Sequence, residues 1–281
     1  MTPSIKQRAG LADPFFVISA GFVIVVMSAA FLTPWISPYG LGGLEAHRLL
    51  EPPSWAHWMG TDGLGRDLLT RVLYGARVSI AVGLGTAFIA LLIGTAYGLA
   101  AGIKGGNWDH LLMRIVDVFY SLPDMLIFIL LSLLFGRNIG GLLLALGLVT
   151  WVRFARVTRG QVLQAKEFLF VESAGALGAS RRRIVLRHIL PNIAGPIIVT
   201  LTFTVPSAIL AESTLSFIGI GINDPYSVWG TSWGTLAQDG YRAMRTYPHL
   251  IAFPAAAIFL TILAFNTLGN GLRDLLDPKQ R

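Results

Sequence analysis

Three carboxylates stand in or beside apolar stretches of this sequence: Asp117, Asp124 and Glu212. An ionisable group in lipid costs roughly 3 kcal/mol or more unless it is paired or reached by water, so each is a candidate for handling a solute. Asp117 has Arg114 one helical turn away, a pairing that would neutralise it near an interface. Glu212 sits on an apolar stretch interrupted by Pro196 and Pro206. Facing a pathway, it could hold an ammonium group; facing the interior, it would pair with an arginine or a backbone donor. Asp62 and Asp67 invite a calcium reading, but they lack the closely alternating carboxylates of an EF-hand loop. They read better as a tight Gly-rich turn before an amphipathic helix at residues 68–74. No G-x-x-x-x-G-K-[ST], G-x-S-x-G or H-E-x-x-H occurs, and there is no cysteine. A phosphate-loop ATPase, two common hydrolase signatures, thiol catalysis and thiolate metal sites are therefore excluded for this chain. No catalytic residue, metal ligand set or cofactor is expected.

A second kind of chemistry is recognition. Residues 167–191 read EFLFVESAGALGASRRRIVLRHILP, a polar interval between long apolar runs. Ser173, Ala174, Gly175 and Ala176 are small, and small side chains let a helix lie close against another backbone. Gly178 suits a helix end, and Ser180 suits the N-cap of a basic helix with Arg181, Arg182, Arg183 and Arg187. A basic interfacial helix on anionic lipid would have the same charge. The small-residue cluster favours docking against protein.

The elements that must position these groups are membrane spans. Of 281 residues, 54% are hydrophobic and 13% charged, about half the charge of a soluble domain. Six apolar runs suffice to cross a bilayer: residues 14–36, 78–103, 110–135, 139 to about 157, 193–222 and 250–272. The first is too long for a secretory signal and no small-residue cleavage site follows it; Pro34, Trp35 and Pro38 look interfacial. Gly94, Gly98 and Gly102 repeat small-xxx-small spacing in the second span. Six spans put both termini on one side. With that side inside, 15 of the 22 lysines and arginines, Lys6 and Arg8 among them, are cytoplasmic, which fits the positive-inside rule. The net charge of +7 is thus a topology signal and not evidence for nucleic acid.

Glu172-Ser173-Ala174, Gly178 and Leu190-Pro191 resemble the EAA loop of ABC importer permeases, with Ser173 where alanine is usual and His188 where isoleucine is usual. GTDGLGRD at residues 60–67 followed by YGARVSI is similar to the narrower GTDxxGRD and YGARxSL pattern of the dipeptide/oligopeptide subfamily. Residues 212–221 resemble its E-x-x-LSFLGLG stretch, and residues 265–278 its FNLLGDGLRDxLDP ending, with Asn270 replacing aspartate. The resemblance covers the chain from about residue 52 onward. It implies an all-α, type I ABC importer permease with six transmembrane helices in a bacterial inner membrane. Residues 1–77 would hold a cytoplasmic tail, the first span and an external segment; residues 78–281 would be the permease domain, with a coupling loop at about 160–191. The implied activity is translocation of dipeptides or oligopeptides, or of nickel, glutathione or another peptide-like solute. The implied partners are a paralogous permease subunit, two ATPase subunits that bind and hydrolyse ATP, and an extracytoplasmic substrate-binding protein. Glu172, Ser173, Ala174, Gly175, Gly178, Leu190 and Pro191 would grip the ATPases, and Glu212 and Asp124 are candidates for the pathway. A secondary transporter would show an inverted repeat, and none is visible.

Overall fold

A computed structural model describes residues 13–37, 39–40, 48–222, 227 and 229–276. Lys6, Arg8, Pro38, Asp277 and Pro278 lie outside the described residues. Ten α-helices form the described chain, with no strand among the described residues: α1 Pro14–Ile36, α2 Leu68–Lys104, α3 Gly106–Ser121, α4 Asp124–Phe135, α5 Ile139–Lys166, α6 Leu169–Ala176, α7 Arg181–Ile184, α8 Leu190–Phe217, α9 Trp233–Ala243 and α10 His249–Leu276. Among the described residues five helical stretches are long and apolar enough to cross a membrane, and α3 with α4 reach that length only together, as a pair bent by 90° that makes a sixth span if it counts as one.

α1 has the expected bounds. Asp13 caps it by accepting from the Phe15 N–H at 3.0 Å, and Pro14 fills a first-turn position that needs no donor. The second span differs. The expected amphipathic helix at 68–74 and the span at 78–103 are one helix, α2, of 37 residues. At 1.5 Å per residue it measures about 55 Å and extends well beyond a bilayer's apolar layer. Asp67 starts it by accepting from the Thr70 N–H, and no proline interrupts it. Gly75 leaves room for the Trp233 side chain, 3.1 Å from where a Cβ would stand.

The third span is the main departure. The run expected as one span over 110–135 is two helices, α3 and α4, which meet at 90°. Pro123 removes a donor and forces Leu122 to an extended φ of −90° and ψ of 143°, so α3 must stop and α4 restart at Asp124. The fourth span, α5, runs to Lys166, beyond the expected end near 157, and the fifth, α8, ends at Phe217 instead of 222. It stays helical through Pro196 and Pro206, and near them the Thr200, Thr204 and Ser207 hydroxyls donate to the carbonyls of Pro196, Thr200 and Phe203. α9 is set by a capping box between Ser232 and Thr235.

The α2–α5 crossing is the most extensive helix contact. The Gly94–Gly98–Gly102 stripe lies directly on it. A Cβ on Gly98 would stand 2.5 Å from the Ala155 carbonyl oxygen, and one on Gly102 2.8 Å from the Val162 Cβ. Trp151, Phe154, Ala155, Val162, Ile189 and Ile193 pack into the core around it.

Candidate functional site

The residue 167–191 segment projects from the bundle. Of α6, only Val171 is buried. Glu172, Ser173 and Gly175 are exposed and Ala174 is half-buried. The helix closes as expected at Gly178, whose φ of +82° an L side chain rarely adopts. The Ala179 N–H donates to the Ala174 carbonyl and the Gly178 N–H to the Gly175 carbonyl, each at 3.0 Å, which seals the helix end. Ser180 then caps α7 by accepting from the Arg183 N–H. Leu169 is 78% and Leu177 89% exposed, and Arg181, Arg182, Arg183 and Arg187 on the same segment are exposed too. Exposed apolar surface beside charge marks a contact with protein or with membrane.

α7 leads into α8 without a linker. Residues 181–217 make one helical stretch of 37 residues, with a single π turn at Val185–Ile189. Pro191 explains the turn: it has no N–H for the Arg187 carbonyl, and its ring crowds that group. The backbone widens so that the Leu190 N–H reaches the Val185 carbonyl, and the Asn192 amide donates to the His188 carbonyl at 2.6 Å. Leu190 and Pro191 thus lie inside the stretch that joins the projecting arm to α8. Pro191 also borders a cavity of about 700 Å³ between α5, α8 and the end of α10.

The two pathway candidates lie in different settings. Asp124 begins α4 and lines a cavity of about 620 Å³ with Phe119, Tyr120, Thr150, Arg153 and Ser207. Glu212 lines neither this cavity nor the one beside Pro191, and it is fully buried. Its Oε1 accepts from Ser216 at 2.6 Å, and its Oε2 from Ser79 at 3.1 Å and Ser213 at 3.4 Å. The Ser232 hydroxyl is also a hydrogen-bond partner. Its partners are therefore serine hydroxyls, in place of the arginine or backbone donor expected for a packing role. The cluster ties α2, α8 and the start of α9 together, because Ser79 also accepts from the Trp233 N–H at 3.2 Å.

With this geometry in place, the comparison with known proteins is decisive. The family described as binding-protein-dependent transport system inner membrane component matches residues 94–281. This chain belongs to that family. It is 44% identical over 277 residues to the dipeptide transport system permease protein DppC of Bacillus subtilis, covering 98% of this chain and 83% of the relative. It is 42% identical to the oligopeptide transport system permease protein OppC of Haemophilus influenzae, covering 98% and 86%. The glutathione transport system permease protein GsiD of Escherichia coli O157:H7 is 42% identical, covering 93% and 85%. This inner membrane component is thus a multi-pass transport subunit of the ABC permease class and not an enzyme.

Two charged clusters in this permease were only partly foreseen. Asp117 does not pair with Arg114. α3 lies across α5, and Arg156 Nη2 donates to Asp117 Oδ1 at 2.7 Å while its guanidinium stacks 3.9 Å from the Tyr120 ring. One step along, Arg159 holds both oxygens of Asp109 at 2.6 Å. The signal was the spacing of Arg153, Arg156 and Arg159, three of the 15 lysines and arginines counted above for topology. At the other end, Asp62 organises the GTDGLGRD turn. Its Oδ1 accepts from the Leu64 and Arg66 N–H groups, and its Oδ2 from Arg66 Nε and Arg71 Nη1, both at 2.8 Å. Burial opposes the charged form, yet Arg71, Arg66 and two backbone N–H groups outweigh it and hold the Asp62 carboxyl below its ordinary value. Asp67 caps α2 and pairs with His57 Nδ1 at 3.0 Å. Both carboxylates are committed to protein partners.

Proposed function

We propose that this permease subunit carries short peptides across the inner membrane, as half of a two-permease pathway driven by partner ATPases on the arm at residues 172–191. One observation carries the coupling reading: the exposed small-residue helix α6 closes at Gly178 and continues, without a flexible break after Ser180, into the long helix that ends at Phe217. A docked flexible loop would absorb motion; a continuous helix transmits it. Ser207, Ala208, Leu210 and Ala211 of α8 border the cavity that holds Asp124, so displacement of the arm would reach the pathway directly. Glu172, Ser173, Ala174, Gly175 and Gly178 form the docking face, and Leu190 and Pro191 set the angle of the lever. A substrate-binding protein would deliver peptide at the opposite end. Residues 1–77 form the leading segment and 78–281 the transport domain, sharing α2, which runs unbroken across residues 77 and 78. Peptides are favoured by the dipeptide and oligopeptide relatives; glutathione, itself a peptide, is the second reading from the GsiD relative.

The docking reading has a direct test. Ser173→Trp adds bulk at an exposed helical position that carries no backbone strain. It is expected to leave the subunit inserted and folded but to strip the ATPase subunits during purification. Wild-type ATPase stoichiometry would overturn the docking role of α6.

Orientation is tested in the same Cys-free background. The basic end, with the arm and both termini, is placed in the cytoplasm. Trp55→Cys, at a 97% exposed position, should react with an impermeant thiol reagent in intact cells. Glu167→Cys, exposed at the arm, should react only after lysis. Labelling in the reverse order would invert the topology.

A further inference from the structure

α3 and α5 are joined by a ladder of opposite charges. Along α5 the arginines fall at 159, 156 and 153; across from the first two, α3 carries aspartates at 109 and 117, and the next aspartate in the chain is Asp124 at the start of α4. The first two rungs are closed, Asp109–Arg159 at 2.6 Å and Asp117–Arg156 at 2.7 Å. The third is open. Between Asp117 and Asp124 the chain turns through 90° at Pro123, which carries Asp124 off the line of the ladder. Neither Asp124 nor Arg153 makes an ion pair or side-chain hydrogen bond with any described residue. Both instead line the cavity of about 620 Å³, whose walls are Phe119, Phe128, Leu146 and Val149.

Asp124 and Arg153 are both exposed on the open side of this cavity, and at membrane depth two unpaired charges are costly unless something charged or wet meets them. The volume is in the range of small-molecule sites. We propose that Asp124 and Arg153 form a dipolar subsite that takes the free ammonium and the free carboxylate of a short peptide. The proposal rests on the reading of this chain as half of a peptide pathway, and it adds Arg153 as a specificity-determining residue. Arginine presents a planar fork suited to a terminal carboxylate, and Asp124 supplies the counter-charge for the amine. The two closed rungs hold α3 against α5 and so keep the bend, and with it the gap, in place. Because α8 forms one wall through Ser207 and Ala211, movement of the arm would change the fit of the peptide.

The test uses the whole importer, reconstituted in proteoliposomes with its ATPases and binding protein. Uptake of labelled trialanine, its C-terminal amide and its N-acetyl form is measured for the wild type and two variants. Each rate is divided by the wild-type rate for the same peptide, which cancels selection during delivery. Arg153→Gln is expected to cut trialanine uptake about tenfold more than it cuts uptake of the amide, the size of one charge-assisted hydrogen bond. Asp124→Asn should show the same contrast between trialanine and the N-acetyl form. Both variants should melt at the wild-type temperature, since neither side chain is paired. Equal losses for charged and capped peptides, or a fall in melting temperature, would reassign the two residues to a structural rung and overturn the subsite. A wild-type complex that carries none of the three would instead overturn the peptide reading itself.

Discussion

Glu212→Ala is expected to lower the stability of the purified subunit by about 3–5 kcal/mol, read as a fall in melting temperature in detergent. The carboxyl group accepts from the hydroxyls of Ser79, Ser213 and Ser216, with Ser232 as a further partner. Ser79 is on α2, Ser213 and Ser216 on α8, and Ser232 is the N-cap of α9. Removing the acceptor leaves buried hydroxyls unsatisfied, opens a void, and breaks the relay from the Trp233 N–H through Ser79. Glu212→Gln separates this role from a solute-binding one. The amide keeps the volume but offers only one acceptor oxygen, so about 1–2 kcal/mol should be lost, with uptake following the amount of folded protein. A glutamine variant of full stability and lost uptake would put Glu212 in the pathway instead.

Gly98→Leu is expected to prevent assembly of the bundle. A Cβ there already stands 2.5 Å from the Ala155 carbonyl oxygen and 2.7 Å from the Thr158 Cβ, and three further carbons have no space. Since Gly94 and Gly102 hold the same crossing one turn away on either side, α2 and α5 cannot slide to relieve the clash. The cost should exceed about 3 kcal/mol, the upper end for overpacked cores. Gly160→Leu, on an exposed face of α5 with no atom within 4 Å of the added Cβ, is the control and should fold normally. Equal melting temperatures for the two variants would show that the glycine stripe does not set the crossing.

Much was legible because membranes impose one-dimensional rules. Apolar run length located every span, as α1 shows at Pro14–Ile36. Local chemistry located the arm's turns, because Gly178 at positive φ and Ser180 as a cap depend on near neighbours only. The glycine stripe was visible too, though spacing alone could not name α5 as the helix that fills it.

Other features depend on how elements meet. The size of the bend at Pro123 could not be read from the residue type alone. A proline inside an apolar run can kink a helix or end it; Pro196 and Pro206 lie within one helix, while Pro123 marks a 90° turn. Neighbouring hydroxyls do not separate the two outcomes, since Ser121 donates to the Val118 carbonyl beside Pro123 as Thr200, Thr204 and Ser207 donate to carbonyls near the α8 prolines. Charge partners were beyond reach for the same reason. Asp117 has an arginine one turn away in sequence but takes Arg156, 39 positions on, because α3 crosses α5 there. Glu212 draws hydroxyls from Ser79 and Ser232, which only folding brings beside it. The sequence by itself determined the membrane class and the family. The tertiary structure decided which charges are spent inside the bundle and which remain free, because pairing is settled by distances between helices that no periodicity encodes.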